Sequence, residues 1–357
     1  MKKINLFEPH VGAEEVKAAT GVVKSKFWAS GAGVGNVKKF EEHLSKYTGA
    51  RSCVAVNSGT AALHLALSTI DVRNKEVIVP SMSFVSTAHA VVYNGGRPVF
   101  VDIEPDSLCM DPQLVEKKIT KKTAAILPVH FGGMAADLKA LQKISKDHGL
   151  SLVEDAAHAC GSKFNGRNIG SHGDFVCFSF HPVKNLSMPT GGAVCVNTKF
   201  SIEKLHSKRW CGITDRKNGM YDVKELGWNF YMNEISASIG IVQLKKLEKL
   251  NQKRKKIATQ YSKKINTEAK MPIKDGCSYH LYWILVKNRD KFRKKLLDEG
   301  IETGVHYTPI HKMSMYKQKE RLPVTEDIGA SIVTLPMHPN LSDRDIERVI
   351  QSVNSHM

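Results

Sequence analysis

Lys184 stands five residues after Ser179 and just before a Gly-Gly turn, in the run Ser-Phe-His-Pro-Val-Lys-Asn-Leu-Ser-Met-Pro-Thr-Gly-Gly (179–192). Upstream, Val153-Glu154-Asp155-Ala156-Ala157-His158 puts an acidic pair at the end of an apolar run. A lysine amine can form a Schiff base with an aldehyde, and a buried carboxylate can keep a pyridine nitrogen protonated. The two segments together point to pyridoxal 5′-phosphate (PLP). Small residues after Asp155 leave room for a flat ring. Alternation along a strand turns Glu154 to the opposite face.

Asn57-Ser58-Gly59-Thr60-Ala61-Ala62-Leu63 follows a strand-like run and opens a helix. Gly59 allows close backbone approach, and the first helical amides with their dipole favour an anion. Ser179 offers a second phosphate ligand through its hydroxyl. His158 is placed to reach the cofactor's phenolic oxygen, and Phe84 to stack on its ring. Taken singly, each has a plainer reading: Ser58 as a helix cap, Asp155 as a strand-end cap, His158 and Phe84 as core residues.

The elements that must position these groups follow from periodicity. Apolar runs at 52–56, 76–79, 97–101, 124–129, 151–154, 175–179 and 193–196 alternate with helical patterns that start at Thr60 and cover 85–92 and 137–147, with a further segment at 114–119. This order predicts a largely parallel sheet covered on both faces. A long helical pattern at 232–264 leads into an α+β tail. There, strands are expected at 280–286 and 302–306, a helix at 291–299, and a last helix at 343–353 with Ser342 as its N-cap. With 357 residues, two lobes are expected.

The net charge of +17 comes largely from lysine-rich helical stretches such as 245–249 and 253–256. They lack interleaved aromatics and a nucleic-acid motif, so a solvated basic surface is expected rather than a nucleic-acid site. The field would favour anionic small substrates. No apolar stretch is long enough for a membrane helix, and Met1–His10 lacks the apolar core of a signal peptide; the cytoplasm is the default expectation. Cysteines 53, 109, 160, 177, 195, 211 and 277 form no CxxC pair and are expected to be reduced, buried thiols. Gly31-Ala32-Gly33-Val34-Gly35 mimics a dinucleotide fingerprint, but no strand precedes it. His306 and His311 lack neighbours that would complete a metal site.

The chain resembles the DegT/DnrJ/EryC1/StrS family of sugar aminotransferases nearly end to end. The resemblance is carried by NSGTAAL (57–63), PVFVDI (98–103), PVHFGG (128–133), EDAAH (154–158), SFHPVK (179–184), GWNFYMNEI (227–235) and GVHYTPIH (304–311). It implies the α/β fold of PLP-dependent transferases of type I, the aspartate-aminotransferase-like fold. Residues 1–245 would form the large PLP-binding domain and 246–357 a smaller α+β domain. It implies a homodimer with active sites at the subunit interface. It makes Lys184 the Schiff-base lysine and Asp155 the partner of the pyridine nitrogen, with His158 near the phenolate and Phe84 on the ring. Gly59, Thr60 and Ser179 would hold the phosphate, joined by Asn229 from the partner subunit. His306 and Tyr307 would line the sugar pocket, near the glycine-rich loop at 31–35. The implied reaction moves an amino group from an amino acid, by family expectation glutamate, to a keto sugar carried on a nucleotide.

Two departures fall on the substrate side. The family often has Thr-Gly-Glu-Gly-Gly after its lysine, where this chain has Met188-Pro189-Thr190-Gly191-Gly192. The family's Asn-Tyr-Arg is here Asn229-Phe230-Tyr231. Dehydratases of the family replace the lysine by histidine, and this chain keeps Lys184. A cysteine desulfurase would need an exposed reactive thiol. A regulatory or nucleic-acid-binding protein would show no cofactor absorbance.

Overall fold

The computed structural model describes residues 3–198 and 202–357, so Met1 and Lys2 of the N-terminal segment lie outside the described residues. Among these, a seven-stranded sheet forms the centre of the molecule. Its strands are β1 (Ser52–Val56), β2 (Glu76–Pro80), β3 (Arg97–Val101), β4 (Thr123–Ile126), β5 (Ser151–Asp155), β6 (Phe175–Ser179) and β7 (Gly192–Val196). Their order is β1-β7-β6-β5-β4-β2-β3. Neighbours among β2 to β6 are parallel, and β7 is antiparallel to both β6 and β1. Consequently β1, β5 and β6 end at one edge of the sheet, where β7 begins. Helices on both faces explain why these strands are near-continuous apolar runs.

Four helices of the first hundred residues are α1 (Ala13–Ser25), α2 (Asn36–Thr48), α3 (Gly59–Leu67) and α4 (Ser86–Tyr93). The alternation read from the sequence is borne out through 196. The glycine-rich segment ahead of α2 packs tightly: a Cβ on Gly31 would lie 2.1 Å from the Trp210 ring, and one on Gly35 2.7 Å from the Glu234 carboxylate. That carboxylate caps α2 through the Asn36 amide at 2.6 Å. These glycines serve close packing within the chain.

A 31-residue helix, Glu234–Lys264, runs unbroken from the large lobe into the C-terminal part, across the divide expected at 245/246. Asn233 caps it by accepting from the Ser236 amide at 2.8 Å. Its lysines are not all simply solvated: Lys246 pairs with Glu15 of α1 at 3.0 Å. The C-terminal part holds a two-stranded antiparallel sheet, Trp283–Leu285 with Ile332–Thr334. Two expectations are corrected there. The strand predicted over 280–286 shrinks to three residues, because Tyr279 takes a left-handed turn (φ 47) and the chain bends before extending. No strand forms at 302–306. Only Gly304 pairs with Thr334, their N–H groups and carbonyls exchanging bonds of 3.0 Å. The last helix, Asp343–His356, carries the expected Ser342 cap.

The expectation of uniformly buried thiols is also corrected. Cys211 is exposed at a left-handed turn (φ 56) and Cys277 is half-buried, while the other five are buried. Among the described residues no helix is long and apolar enough to cross a membrane.

Candidate active site

The sheet edge where β1, β5 and β6 end and β7 begins opens into a cavity of about 340 Å³. Carboxyl ends of parallel strands are the usual site of a crevice in such sheets. The cavity brings together Gly59, Thr60, Phe84, Asp155, His158, Ser179, Lys184, His306 and Tyr307, nine of the ten residues singled out from the sequence.

One end of the cavity is the N-terminus of α3. Ser58 caps it, its hydroxyl oxygen accepting from the Ala61 amide at 3.1 Å. The Gly59 and Thr60 amides have no protein acceptor among the described residues. The backbone is packed closely here: a Cβ on Gly59 would lie 2.6 Å from Cβ of Ser179, and one on Gly192 2.3 Å from the Ser58 carbonyl oxygen. Thr60 Oγ1 lies 2.7 Å from the Ser86 hydroxyl. Free amides, a helix dipole and three hydroxyls converge, which is the donor set a phosphate requires.

At the other end Asp155 closes β5. It is buried, and burial raises its pKa above the usual carboxylate value. The Ala157 amide, the Thr87 hydroxyl and the Lys184 charge oppose that rise. Lys184 follows the turn after β6 and faces the same cavity. Burial lowers its amine to about 8, with Asp155 pulling the other way. Glu154 faces away as alternation requires. It bonds His130 at 2.8 Å and accepts from the Gly173 amide, both partners being buried. A phosphate cup, a lysine of lowered pKa and a buried carboxylate in one cavity fit PLP. These residues would hold the cofactor at both ends and attach it through Lys184.

His158 has a defined tautomer. Its Nδ1 accepts from the Gly132 amide at 3.3 Å, so the proton of the neutral ring sits on Nε2. Burial keeps the ring neutral by lowering its pKa well below the ordinary value. Nε2 therefore donates to the Tyr307 oxygen at 2.9 Å, leaving the phenol's own proton free for a ligand. His306 bonds Thr334 through Nδ1 at 2.7 Å. His311, paired with Ser81 at 2.6 Å, lies away from the cavity. Phe84, 57% exposed, overhangs the opening with its ring centre 6.0 Å from that of Tyr307.

Asn229, the tenth residue, is not among the residues lining this cavity. It is exposed, and its carbonyl accepts from the Asn57 side chain at 3.3 Å. Cys211 also lies outside the cavity. Phe7 and His280 are among the lining residues missed from the sequence, and their rings stack at 5.5 Å. His280 Nδ1 lies 3.2 Å from the Asn185 side-chain oxygen. The Asn185 amide nitrogen donates to the Ser278 carbonyl at 2.9 Å, which fixes its oxygen toward the ring. His280 is therefore protonated on Nδ1, and its Nε2 is an acceptor.

The chain is similar along nearly its whole length to known proteins. The uncharacterized protein MJ1066 of Methanocaldococcus jannaschii is 33% identical, over 97% of this chain and 96% of its own length. PseC of Helicobacter pylori, an aminotransferase involved in the biosynthesis of pseudoaminic acid, superposes with a TM-score of 0.94 at 32% identity, over 99% of both chains. Spr1654 of Streptococcus pneumoniae, solved in a PLP form, superposes with a TM-score of 0.93 at 29% identity, over 99% of this chain and 98% of its own. It has also been solved in a PMP form. The fold is that of PLP-dependent aminotransferases of type I, and PLP is the cofactor. With residues 9–354 matching the family's model, the chain belongs to the DegT/DnrJ/EryC1/StrS aminotransferase family.

Proposed function

We propose that this enzyme takes an amino group from glutamate and gives it to a keto sugar carried on a nucleotide diphosphate. The observation that carries the reading is the joining of Lys184, Asp155 and the α3 amides in one cavity. The basic chain, at net charge +17, suits a polyanionic acceptor. We take the active unit to be a homodimer, with Asn229 reaching the phosphate of the partner's site; its exposure outside its own cavity supports this.

Bound in this cavity, PLP supplies an electron sink for the carbon that loses or gains a proton. The chain's residues do the rest. Gly59, Thr60 and Ser179 anchor the phosphate, and Phe84 covers the ring. Asp155 holds a proton on the pyridine nitrogen. His158 donates through Nε2 to Tyr307, whose free proton meets a ligand oxygen. Lys184 Nζ takes the proton from the donor's α-carbon in the first half-reaction. In the second it returns a proton to the sugar carbon that receives the amine. An amine lowered to about 8 suits both directions near neutral pH. His306 and Tyr307 face the sugar.

The depressed Lys184 amine sets a pH dependence for cofactor uptake. Only the neutral amine attacks an aldehyde, and its fraction rises as pH passes through about 8. The rate at which apoprotein takes up PLP should therefore increase about tenfold between pH 7 and pH 9. Stopped-flow absorbance checks this, and a flat profile contradicts a depressed amine. The substrate reading is tested by incubating the enzyme with glutamate and a panel of nucleotide-linked keto sugars. An amino sugar detected by mass spectrometry, formed with equimolar 2-oxoglutarate, is the expected result. Amination of free keto sugars alone would overturn the nucleotide part.

A further inference from the structure

Asp155 is 5% exposed, and its charge is held by groups from several elements. Oδ1 accepts from the Ala157 amide at 3.1 Å, and Oδ2 accepts from the Thr87 hydroxyl at 2.8 Å. Thr87 lies in the first turn of α4 and is fully buried. Its Oγ1 is 2.7 Å from the hydroxyl of Ser83, which is also buried.

A hydroxyl has one proton to donate. Thr87 gives its proton to the carboxylate, so Ser83 must donate to Thr87 while Asp155 is ionised. The row has one polarity: Ser83 O–H to Thr87 Oγ1, then Thr87 O–H to Asp155 Oδ2. Each bond points toward the negative charge, and donation to a charged carboxylate stabilises that form over the protonated one. A helical threonine commonly turns its hydroxyl back to a carbonyl of the preceding turn. Thr87 instead reaches across to β5.

We propose that the Ser83–Thr87 hydroxyl row is a positioning device that keeps Asp155 ionised and aimed at the cofactor's pyridine nitrogen. This rests on the reading of Asp155 as the partner of that nitrogen. The Ala157 amide is the other direct donor and serves Oδ1, first among the groups that oppose burial; Thr87 serves Oδ2. Lys184 and His130 favour its charge only through space, while burial disfavours it. Cys177 and Tyr307 feel its charge and are themselves held neutral by burial. Once Lys184 is joined to the cofactor, its contribution changes, whereas that of Thr87 persists.

The sign of the pH effect follows. PLP binding needs Asp155 ionised, so affinity falls as pH drops through its pKa. Removing the Thr87 donor raises that pKa, so the loss begins at higher pH. The test is PLP affinity of the apoprotein, measured from pH 5.5 to 8.5 for wild type, Thr87→Val, Thr87→Ser and Asp155→Asn. Taking variant-to-wild-type ratios cancels the titrations of Lys184 and of the phosphate.

For Thr87→Val the affinity ratio should widen to about tenfold or more as pH falls and narrow as pH rises. Thr87→Ser, which keeps the hydroxyl, should restore the wild-type profile. Asp155→Asn should weaken PLP at every pH. A Thr87→Val ratio that is constant with pH would show a packing role only and overturn the proposal. So would a wild-type profile in that variant while Asp155→Asn binds poorly. If Asp155→Asn binds PLP as wild type does, the reading of Asp155 itself fails, and the proposal with it.

Discussion

Lys184→Ala should abolish turnover, because it removes both the acid–base group, worth about 10²- to 10⁴-fold, and the amine that attaches the cofactor. The position allows no understudy. Lys184 is the amine that lines the cavity, and the nearby His158 and His306 are held neutral by burial, His306 falling to about 4. The variant should still bind PLP through the α3 amides and Asp155. It should lack the long-wavelength band that a lysine-linked cofactor gives. Steady-state assay and an absorption spectrum check both parts. Substantial remaining transamination would remove Lys184 from its role.

Asp155→Asn should lower the transamination rate by about 10²- to 10³-fold, the usual effect of removing a group that stabilises developing charge. Asparagine keeps the shape of the side chain, but its single oxygen can replace only one of the two carboxylate oxygens that accept from the Ala157 amide and the Thr87 hydroxyl. It cannot carry the negative charge that holds a proton on the ring nitrogen. The loss should therefore appear in the single-turnover rate with glutamate even at saturating PLP. A loss cured entirely by added PLP would give Asp155 a role in binding alone.

The parts of the site that were legible in the sequence are those built by local signals. Asn57–Leu63 reads as a turn and helix start directly after a strand, and it folds that way. Asp155 and Glu154 are sorted to opposite faces by the two-residue period of a strand. Lys184 follows a strand end by a short turn, so its placement depends on few long-range contacts.

What was not legible comes from distant chain. His280 belongs to a segment that reads as a strand, and only the left-handed turn at Tyr279 bends it toward the cavity. Phe7 arrives because Ile4 pairs with Ile301 and draws the N-terminal segment across the C-terminal part. Neither event has a signal in local periodicity. Thr87 had a weak one: Ser83 and Thr87 are four residues apart at a helix start, beside Phe84. The glycines at 31–35 resemble a ligand-binding loop because backbone approach to a ligand and backbone approach to a tryptophan ask for the same residue.

The most direct measurement is an absorption spectrum of the PLP-loaded enzyme before and after glutamate is added, with no sugar present. The account predicts a long-wavelength band from cofactor joined to Lys184, replaced on adding glutamate by the shorter-wavelength band of the PMP form. It also predicts release of 2-oxoglutarate, equimolar with the sites. A loaded enzyme without the long-wavelength band, or one whose band ignores every amino acid offered, would contradict it.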